Sequence, residues 1–159
     1  MPVFSRFLFV CTGNTCRSPM AAALLTRAAD ARGLAVEVQS AGLFTDGSPA
    51  ADPAIEVLAE WGIDLSAHRS RTVTPAMCDR ADVIAVMSLR HKQLLTVQGV
   101  DSRKIIVLGG GIPDPYGGSA EVYRATRDRL ADAVTELRDV APDARIFIEF
   151  EKDFDISFS

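Results

Sequence analysis

Residues 10–19 contain the feature that most constrains the fold of this 159-residue chain. The apolar run 7–10 leads into this segment, and the helix-forming run 20–25 follows it. The segment is therefore expected to be a loop between a buried strand and the N-terminus of a helix. Such a loop presents backbone N–H groups and the positive end of a helix dipole, so it favours the binding of an anion.

Two side chains of this loop indicate covalent chemistry. Cys11 lies where the N–H groups and the helix dipole stabilise a thiolate, the reactive form of cysteine. Arg17 follows after five residues, and its planar guanidinium can bind two oxygens of a tetrahedral oxyanion. This pairing indicates transfer of a phosphoryl group through a covalent intermediate on Cys11. The residues expected to bind the phosphoryl group are consecutive: Thr12, Gly13, Asn14, Thr15, Cys16, Arg17 and Ser18.

Three of these loop residues have further expected roles. Ser18 can cap the helix, and its hydroxyl can also donate to the Cys11 thiolate and make it a better leaving group. Gly13 lets the backbone turn an N–H group inward. Asn14 is of a residue type that tolerates the left-handed conformation.

The rest of the chain alternates strands with helices, which predicts an α/β fold with a parallel sheet covered by helices on both faces. We expect Asp52, Ser88 and Ser119 to cap helices. Ligands bind at the carboxyl ends of parallel strands, so the loops 11–18 and 109–118 are expected to converge there. The predicted strands are 4–10, 36–40, 82–87 and 104–108, and the predicted helices are 19–32, 53–61, 75–81, 89–97 and one that begins after Ser119.

Composition excludes several classes of function. The net charge is −4 and no basic run is present, so nucleic acid is not an expected partner. The three cysteines, Cys11, Cys16 and Cys78, are too few for a disulfide framework and suit the reducing cytoplasm. The N-terminus lacks the apolar region of a signal peptide, and no apolar run is long enough to span a membrane. We therefore expect a cytoplasmic protein with no membrane partner.

Residues 142–159 form a C-terminal extension that differs from the preceding segment. From Ile146 onward, apolar and acidic residues alternate with a period of two, with a break at Lys152. One interpretation is an extra strand that lies on a sheet edge or on a neighbouring molecule; the other is a loosely ordered terminus. We expect residues 1–141 to form the catalytic domain.

The loop 11–19, together with Asp114-Pro115-Tyr116, resembles the low-molecular-weight protein tyrosine phosphatase family over about residues 5–140. The resemblance implies a three-layer sandwich with strand order 2-1-3-4 and a phosphocysteine intermediate. It implies that Cys11, Arg17 and Asp114 are the catalytic residues. Asp114 would protonate the leaving group and then activate water. Taken without the cysteine loop, Asp114 would be interpreted as a common turn residue.

The resemblance also implies support for the loop by two residues outside it. Family members fix the loop asparagine, here Asn14, by hydrogen bonds to a serine and a histidine. Ser40 and His68 occupy the matching positions. His68 on its own would be given a structural or surface role, and we assign it to loop support rather than to catalysis.

Thr15 bears on the choice of substrate. Tyrosine-directed members of the family usually have a bulky aliphatic residue there, whereas the similar bacterial protein arginine phosphatases have threonine. Tyr116 is expected to line the entrance, and Gly117 and Gly118 follow it where the family often has a second aromatic residue. A hydroxyl at position 15 and the Asp114 carboxylate could both bind a guanidinium. We therefore favour phosphoarginine in a protein as the substrate, with phosphotyrosine as the alternative.

Cys16 is close enough in sequence to form a reversible disulfide with an oxidised Cys11; the alternative is a cysteine that simply packs beneath the loop. An arsenate reductase would need two further relay cysteines. A phosphocysteine carrier would not need Arg17 or a late acid, and an anion-binding regulatory domain would lack the nucleophile or the acid.

Neither His68 nor His91 lies in a metal-ligand spacing, so no metal or cofactor is expected. His91 is expected to be exposed on a helix.

The expected partners follow from this chemistry. They are a phosphorylated protein as substrate and phosphate or sulfate in the active site. We expect a monomer or a weak dimer, with residues 142–159 as the segment that would join two copies.

Overall fold

Strands and helices alternate along the chain, as the sequence predicts. The structure is a computed structural model and describes residues 5–33, 35–135 and 137. The predictions for the C-terminal extension, including the extra strand and the domain boundary after residue 141, lie outside the described residues. The elements are β1 Ser5–Cys11, α1 Arg17–Arg32, β2 Val36–Gly42, α2 Asp52–Ala59, α3 Pro75–Arg80, β3 Val83–Val86, α4 Leu89–Val97, β4 Ile105–Val107 and α5 Ala120–Thr135, with short 3-10 helices at Ser102–Lys104 and Leu108–Gly110.

The four strands form one parallel sheet in the order β2-β1-β3-β4. This confirms the predicted strand order. Phe7 of β1 pairs with Val38 of β2 on one side and with Val83 of β3 on the other, so β1 is a central strand. Because all four strands run in one direction, the loops that follow them open on the same edge of the sheet.

Alternate residues of β1 point to opposite faces of the sheet and into two separate hydrophobic clusters. Phe7 and Phe9 belong to the cluster formed with apolar residues of α1, α2 and α5. Leu8 and Val10 belong to the cluster on the other face, which includes Cys78 of α3 and residues of α4. The sheet is thus covered on both faces, and the predicted three-layer sandwich is confirmed.

Turn and cap residues determine where the helices begin and end. Gly33 has a φ of 64°, and its N–H group bonds the carbonyls of Ala29 and Asp30 to end α1. The Ser88 hydroxyl accepts from His91 N and caps α4. The prediction that Asp52 caps α2 is wrong by one position: Asp52 is the first helical residue, and Ala51 precedes it without a side-chain cap.

The second and fifth helices are joined by a charged cluster. Glu60 lies just after α2 and accepts hydrogen bonds from Arg124 and Arg127 of α5, at 2.8 and 2.7 Å at the shortest. Arg127 also donates to the carbonyl of Val57 and lies 3.9 Å from the centre of the Trp61 ring. This cluster holds α5 beside α2.

Across residues 5–33, 35–135 and 137, no helix combines the length and apolarity needed to cross a bilayer.

Candidate active site

Cys11 is the last residue of β1 and is buried at the carboxyl edge of the sheet. The loop 12–16 turns directly into α1, and hydrogen bonds attach it to the segment that follows β2. Leu43 N and Phe44 N donate to the carbonyls of Cys11 and Thr12 at 3.1 and 3.0 Å. The predicted anion loop therefore lies between a central strand and a helix N-terminus, and it is fixed along one side.

The Cys11 sulfur lies among hydrogen-bond donors. Ser18 Oγ is 2.9 Å from Cys11 Sγ, and Asn14 N donates to the same sulfur at 3.3 Å. Both groups can stabilise a negative charge on sulfur, whether it is the attacking thiolate or the thiolate released from a phosphocysteine.

Asn14 organises the loop from within. It is fully buried and adopts the left-handed conformation with a φ of 56°. Its amide Nδ2 donates to Ser18 Oγ at 2.8 Å and to Ser40 Oγ at 3.0 Å. Its backbone carbonyl accepts from His68 Nε2 at 2.7 Å, which requires the proton of His68 to be on Nε2. Burial lowers the pKa of His68, which favours the neutral imidazole.

Two residues that the sequence interpretation missed also support the loop. The backbone N–H of Arg71 donates to Asn14 Oδ1 at 3.0 Å, and its guanidinium Nε donates to the carbonyl of Ser40 at 3.1 Å. Gly42 ends β2 so close to the loop that a Cβ atom there would lie 2.9 Å from the carbonyl oxygen of Thr12. A glycine after a strand hints at such a close approach, whereas a backbone donor such as Arg71 N leaves no signal in a sequence.

Arg17 is buried, with 6% of its surface exposed, and links the anion loop to the loop 109–118. Its Nη1 donates to the carbonyl of Ile112 at 2.9 Å, and its Nη2 lies 3.5 Å from Asp114 Oδ2. Its Nε is buried and has no hydrogen-bond partner among the described residues. A buried N–H group without a partner is costly, and an oxygen of a bound oxyanion would satisfy it.

Asp114 lies on a turn that several hydrogen bonds fix. Its Oδ1 accepts from Tyr116 N at 3.1 Å, while about half of its side chain (51%) remains exposed. Arg129 of α5 holds the start of the same loop by donating to the carbonyls of Gly109 and Gly111 at 3.0 and 2.7 Å. The carboxylate is thus held beside Arg17 and accessible to solvent, as a group that exchanges protons with substrate and water must be.

An open groove begins at Gly13 and Thr15 and continues along the segment between β2 and α2. The predicted Tyr116 lies on its rim with 77% of its surface exposed. Phe44, which the sequence interpretation missed, also lines the groove and is 72% exposed. The structure therefore places Thr15 and Tyr116 on one surface beside the anion loop.

Cys16 is buried below the loop. Its sulfur lies 3.3 Å from the hydroxyl of Tyr123 in α5 and 3.8 Å from Thr15 Oγ1. Burial is the main reason why the pKa of Cys16 is raised, and the nearby Asp114 and Cys11 also raise it. Burial likewise raises the pKa of Tyr123 well above its usual value. Both groups therefore remain protonated at neutral pH.

His91 is buried, and the expectation that it would be exposed is wrong. Only 4% of its surface is accessible, because it lies in the first turn of α4 and faces the anion loop. His91 Nε2 lies 2.9 Å from Thr12 Oγ1. A helix residue with polar neighbours gives no sequence signal that a distant loop will cover it.

Within the described ranges, no cluster of three or more histidine, cysteine, aspartate or glutamate residues could hold a metal ion.

Comparison with known proteins gives consistent matches. Residues 6–145 match the family described as low molecular weight phosphotyrosine protein phosphatase. A protein-arginine-phosphatase of Geobacillus stearothermophilus is 44% identical over 141 residues, which cover 83% of this chain and 93% of the relative. The low molecular weight protein-tyrosine-phosphatase Wzb of Escherichia coli is 37% identical over 130 residues, which cover 77% of this chain and 86% of that protein.

A solved structure is similar over nearly its whole length. It is a YwlE arginine phosphatase in which serine replaces the active-site cysteine and is phosphorylated. This structure and our chain superpose with a TM-score of 0.82 at 38% sequence identity, over 89% of this chain and 99% of that chain.

Proposed function

Because the chain belongs to the low-molecular-weight phosphotyrosine protein phosphatase family, we propose that it hydrolyses phosphoarginine in proteins through a phosphocysteine on Cys11. The main support for this reaction is the geometry of two loops. Cys11 lies between two hydrogen-bond donors at the start of the anion loop, and Arg17 links this loop to the loop that carries Asp114. Members of this family are phosphatases, so the activity of this chain is the hydrolysis of a phosphorylated protein side chain. The specific roles of the residues below are part of the proposal.

The first step transfers the phosphoryl group to sulfur. The Cys11 thiolate attacks phosphorus, the P–N bond of phosphoarginine breaks, and Asp114 gives its proton to the departing guanidine nitrogen. The loop 12–18 and the Arg17 guanidinium bind the phosphoryl oxygens throughout. The exposed and hydrogen-bonded position of Asp114, beside Arg17, suits a donor to a group that leaves toward solvent.

The second step releases phosphate. Asp114, now a carboxylate, takes a proton from water, and the oxygen of that water attacks phosphorus as the P–S bond breaks. Cys11 leaves as a thiolate that Ser18 Oγ and Asn14 N stabilise. Ser40 and His68 act on this step only through Asn14, so they are positioning residues in the proposal.

The choice of phosphoarginine depends on Thr15. This residue lies where the groove begins at the anion loop, and its hydroxyl offers a polar contact to a guanidinium. Once Asp114 has given up its proton, its carboxylate complements the positive charge of the guanidinium that leaves. Phosphotyrosine is the second candidate, because the exposed rings of Phe44 and Tyr116 on the same groove could pack against an aromatic substrate.

Cys16 extends the proposal to redox protection. When peroxide converts Cys11 to a sulfenic acid, the Cys16 thiol attacks that sulfur, a disulfide forms and water leaves. Cys16 follows Cys11 by five positions in the same loop, and both cysteines are buried and free. A thiol reductant then restores both cysteines. This cycle requires the reducing compartment, such as the cytoplasm, that we propose for this protein.

The remaining parts of the proposal concern partners. A phosphorylated protein is the substrate, and free phosphate or sulfate occupies the same loop. Residues 1–141 form the phosphatase domain, and residues 142–159 form an extension through which a monomer could associate into a weak dimer.

The test compares turnover of matched phosphoarginine and phosphotyrosine peptides by the purified chain. We expect steady phosphate release from both, with a higher kcat/KM for phosphoarginine, and loss of both activities in Cys11→Ser. A Cys78→Ser variant is the matched control, since Cys78 is buried in α3 and lies outside the site. Turnover that survives in Cys11→Ser would refute the mechanism, and a preference for phosphotyrosine would refute the assigned substrate.

A further inference from the structure

His91 and Thr12 form a contact between α4 and the anion loop that is separate from the hydrogen bonds of Asn14. Ser88 caps α4 by accepting from His91 N, and this cap fixes the first turn of the helix against the loop. The imidazole is buried, whereas Thr12 is exposed at the mouth of the loop. Their side chains meet at 2.9 Å between His91 Nε2 and Thr12 Oγ1.

The surroundings of the ring favour one tautomer. His91 Nδ1 is buried and has no hydrogen-bond partner among the described residues. If the proton were on Nδ1, a buried N–H group would lack an acceptor, which is rare in proteins. If the proton is on Nε2, that nitrogen donates to Thr12 Oγ1 and the unpartnered atom is only a lone pair.

Burial and two neighbouring guanidiniums keep His91 neutral. Burial is the largest cause that lowers the pKa of His91 to about 4, and the guanidiniums of Arg17 and Arg90 lower it further. Asp114 acts in the opposite direction. At neutral pH the ring is therefore uncharged. It donates a hydrogen bond through Nε2–H but does not transfer a proton in the reaction.

This arrangement leaves the hydroxyl proton of Thr12 free to form a second hydrogen bond. When Thr12 Oγ1 accepts from His91, its own O–H proton is not needed for that contact and can donate elsewhere. Thr12 directly follows the proposed nucleophile and is exposed, which makes its hydroxyl the candidate donor to a group bound at the mouth of the loop. The loop there is built to surround an oxyanion whose oxygens accept hydrogen bonds.

We propose that His91 is a positioning residue of the phosphatase reaction: its Nε2–H group holds Thr12 Oγ1 as an acceptor and directs the Thr12 hydroxyl proton to a phosphoryl oxygen. This inference rests on the proposed function, because it assigns a further donor to the same phosphoryl group. Thr12 is the residue that touches the substrate, and His91 acts through it.

The test is a double-mutant cycle on kcat/KM for p-nitrophenyl phosphate and the phosphoarginine peptide. His91→Leu and Thr12→Val each remove the contact, and we expect each to lower kcat/KM about tenfold, the loss typical of one hydrogen bond to a charged group. The double variant should be no slower than either single variant, because both act on one interaction. Thr12→Ser retains the hydroxyl and should remain within about threefold of the wild type.

A conservative replacement separates positioning from packing. The amide nitrogen of glutamine can take the place of imidazole Nε2, so His91→Gln should restore most of the activity that His91→Leu loses. Thermal unfolding of every variant reports on the fold. Equal loss in His91→Gln and His91→Leu, or a further loss when His91→Leu is added to Thr12→Val, would overturn the proposal.

The inhibition constant of inorganic phosphate gives a second measure. His91→Leu and Thr12→Val should weaken inhibition by phosphate to the same extent, and unchanged inhibition in both would contradict donation to the phosphoryl group. Failure of this inference is distinct from failure of the proposed function. If the wild type hydrolyses the substrates and Thr12→Val is equally active, only the role of His91 and Thr12 is refuted. If the wild type itself is inactive, the proposed function is refuted.

Discussion

Ser18 Oγ lies 2.9 Å from Cys11 Sγ and receives a hydrogen bond from Asn14 Nδ2 at 2.8 Å. Because the Asn14 amide occupies a lone pair of the hydroxyl, the hydroxyl proton can point at the sulfur, which is closer than the other acceptor within reach, the carbonyl of Ala41 at 3.4 Å. The strength of this contact grows with negative charge on sulfur. That charge is already present before the first step, whereas it develops during the second, as the P–S bond of the phosphocysteine breaks.

Replacing Ser18 with alanine is therefore expected to slow the second step more than the first. We expect kcat for p-nitrophenyl phosphate to fall about tenfold or more, with a burst of p-nitrophenol as the phosphocysteine accumulates. Stopped-flow absorbance measures the burst. Ser102→Ala, at an exposed serine away from the site, is the control. A lower rate without a burst would show that Ser18 acts before the intermediate forms.

Asp114→Asn removes the proposed acid while retaining the shape of the turn. A general acid contributes about 10²–10⁴-fold to a rate, so phosphoarginine peptide hydrolysis should fall by that order. Hydrolysis of p-nitrophenyl phosphate should fall less, since p-nitrophenolate leaves without a proton. Asp132→Asn, at an exposed residue of α5, should behave as wild type. The role of Asp114 as an acid is refuted if Asp114→Asn lowers kcat/KM equally for both substrates, because kcat/KM reports only on the steps up to release of the leaving group.

Thr15→Ile tests the choice of substrate. The change removes the hydroxyl from the start of the groove and adds apolar surface, which disfavours a guanidinium and favours an aromatic ring. We expect the ratio of kcat/KM for phosphoarginine over phosphotyrosine peptides to drop by about tenfold or more. Thr96→Ile, at an exposed position of α4, provides the control. An unchanged ratio would show that Thr15 does not select the substrate.

Peroxide treatment tests the role of Cys16. The wild type should lose activity in dilute hydrogen peroxide and regain it with dithiothreitol, because a disulfide protects Cys11 from further oxidation. Cys16→Ala should lose activity that dithiothreitol does not restore. Cys78→Ala should recover like the wild type, since Cys78 is buried on the other face of the sheet. Full recovery of Cys16→Ala after peroxide would contradict the proposal.

The charged cluster between α2 and α5 predicts a dependence of stability on pH. Hydrogen bonds from Arg124, then from Arg127, lower the pKa of Glu60 from 4.5 to about 2 in the folded chain. Since the folded value is lower than the unfolded one, Glu60 stabilises the fold above pH 4.5, and this contribution is lost as the pH falls toward 2.

Thermal unfolding of Glu60→Gln should therefore give a lower Tm than that of the wild type at pH 7, and the two Tm values should converge as the pH approaches 2. Glu56→Gln, at an exposed residue of α2, is the control. A difference in Tm that stays constant from pH 7 to pH 3 would show that the charge of Glu60 does not contribute.

The fold and the main part of the site could be predicted because their signals are local. Strands are apolar runs, Gly33 ends a helix, and the residues 11–18 are consecutive, so the chain itself brings Cys11, Asn14 and Ser18 together. The Thr12–His91, Cys16–Tyr123 and Asn14–Arg71 contacts join residues far apart in the sequence. Each depends on how an element packs against the loop, which a helical pattern does not specify. For this reason His91 was expected at the surface and is buried.

Helix α5 contacts both loops of the site: Tyr123 meets Cys16 beneath the anion loop, and Arg129 holds the carbonyls of Gly109 and Gly111. These two residues are six positions apart, which corresponds to about 9 Å along a helix axis. The helix thus acts as a spacer of fixed length between the loop that follows Cys11 and the loop that carries Asp114. A shift of α5 against the sheet would therefore displace both loops together and would leave the distance between them largely unchanged.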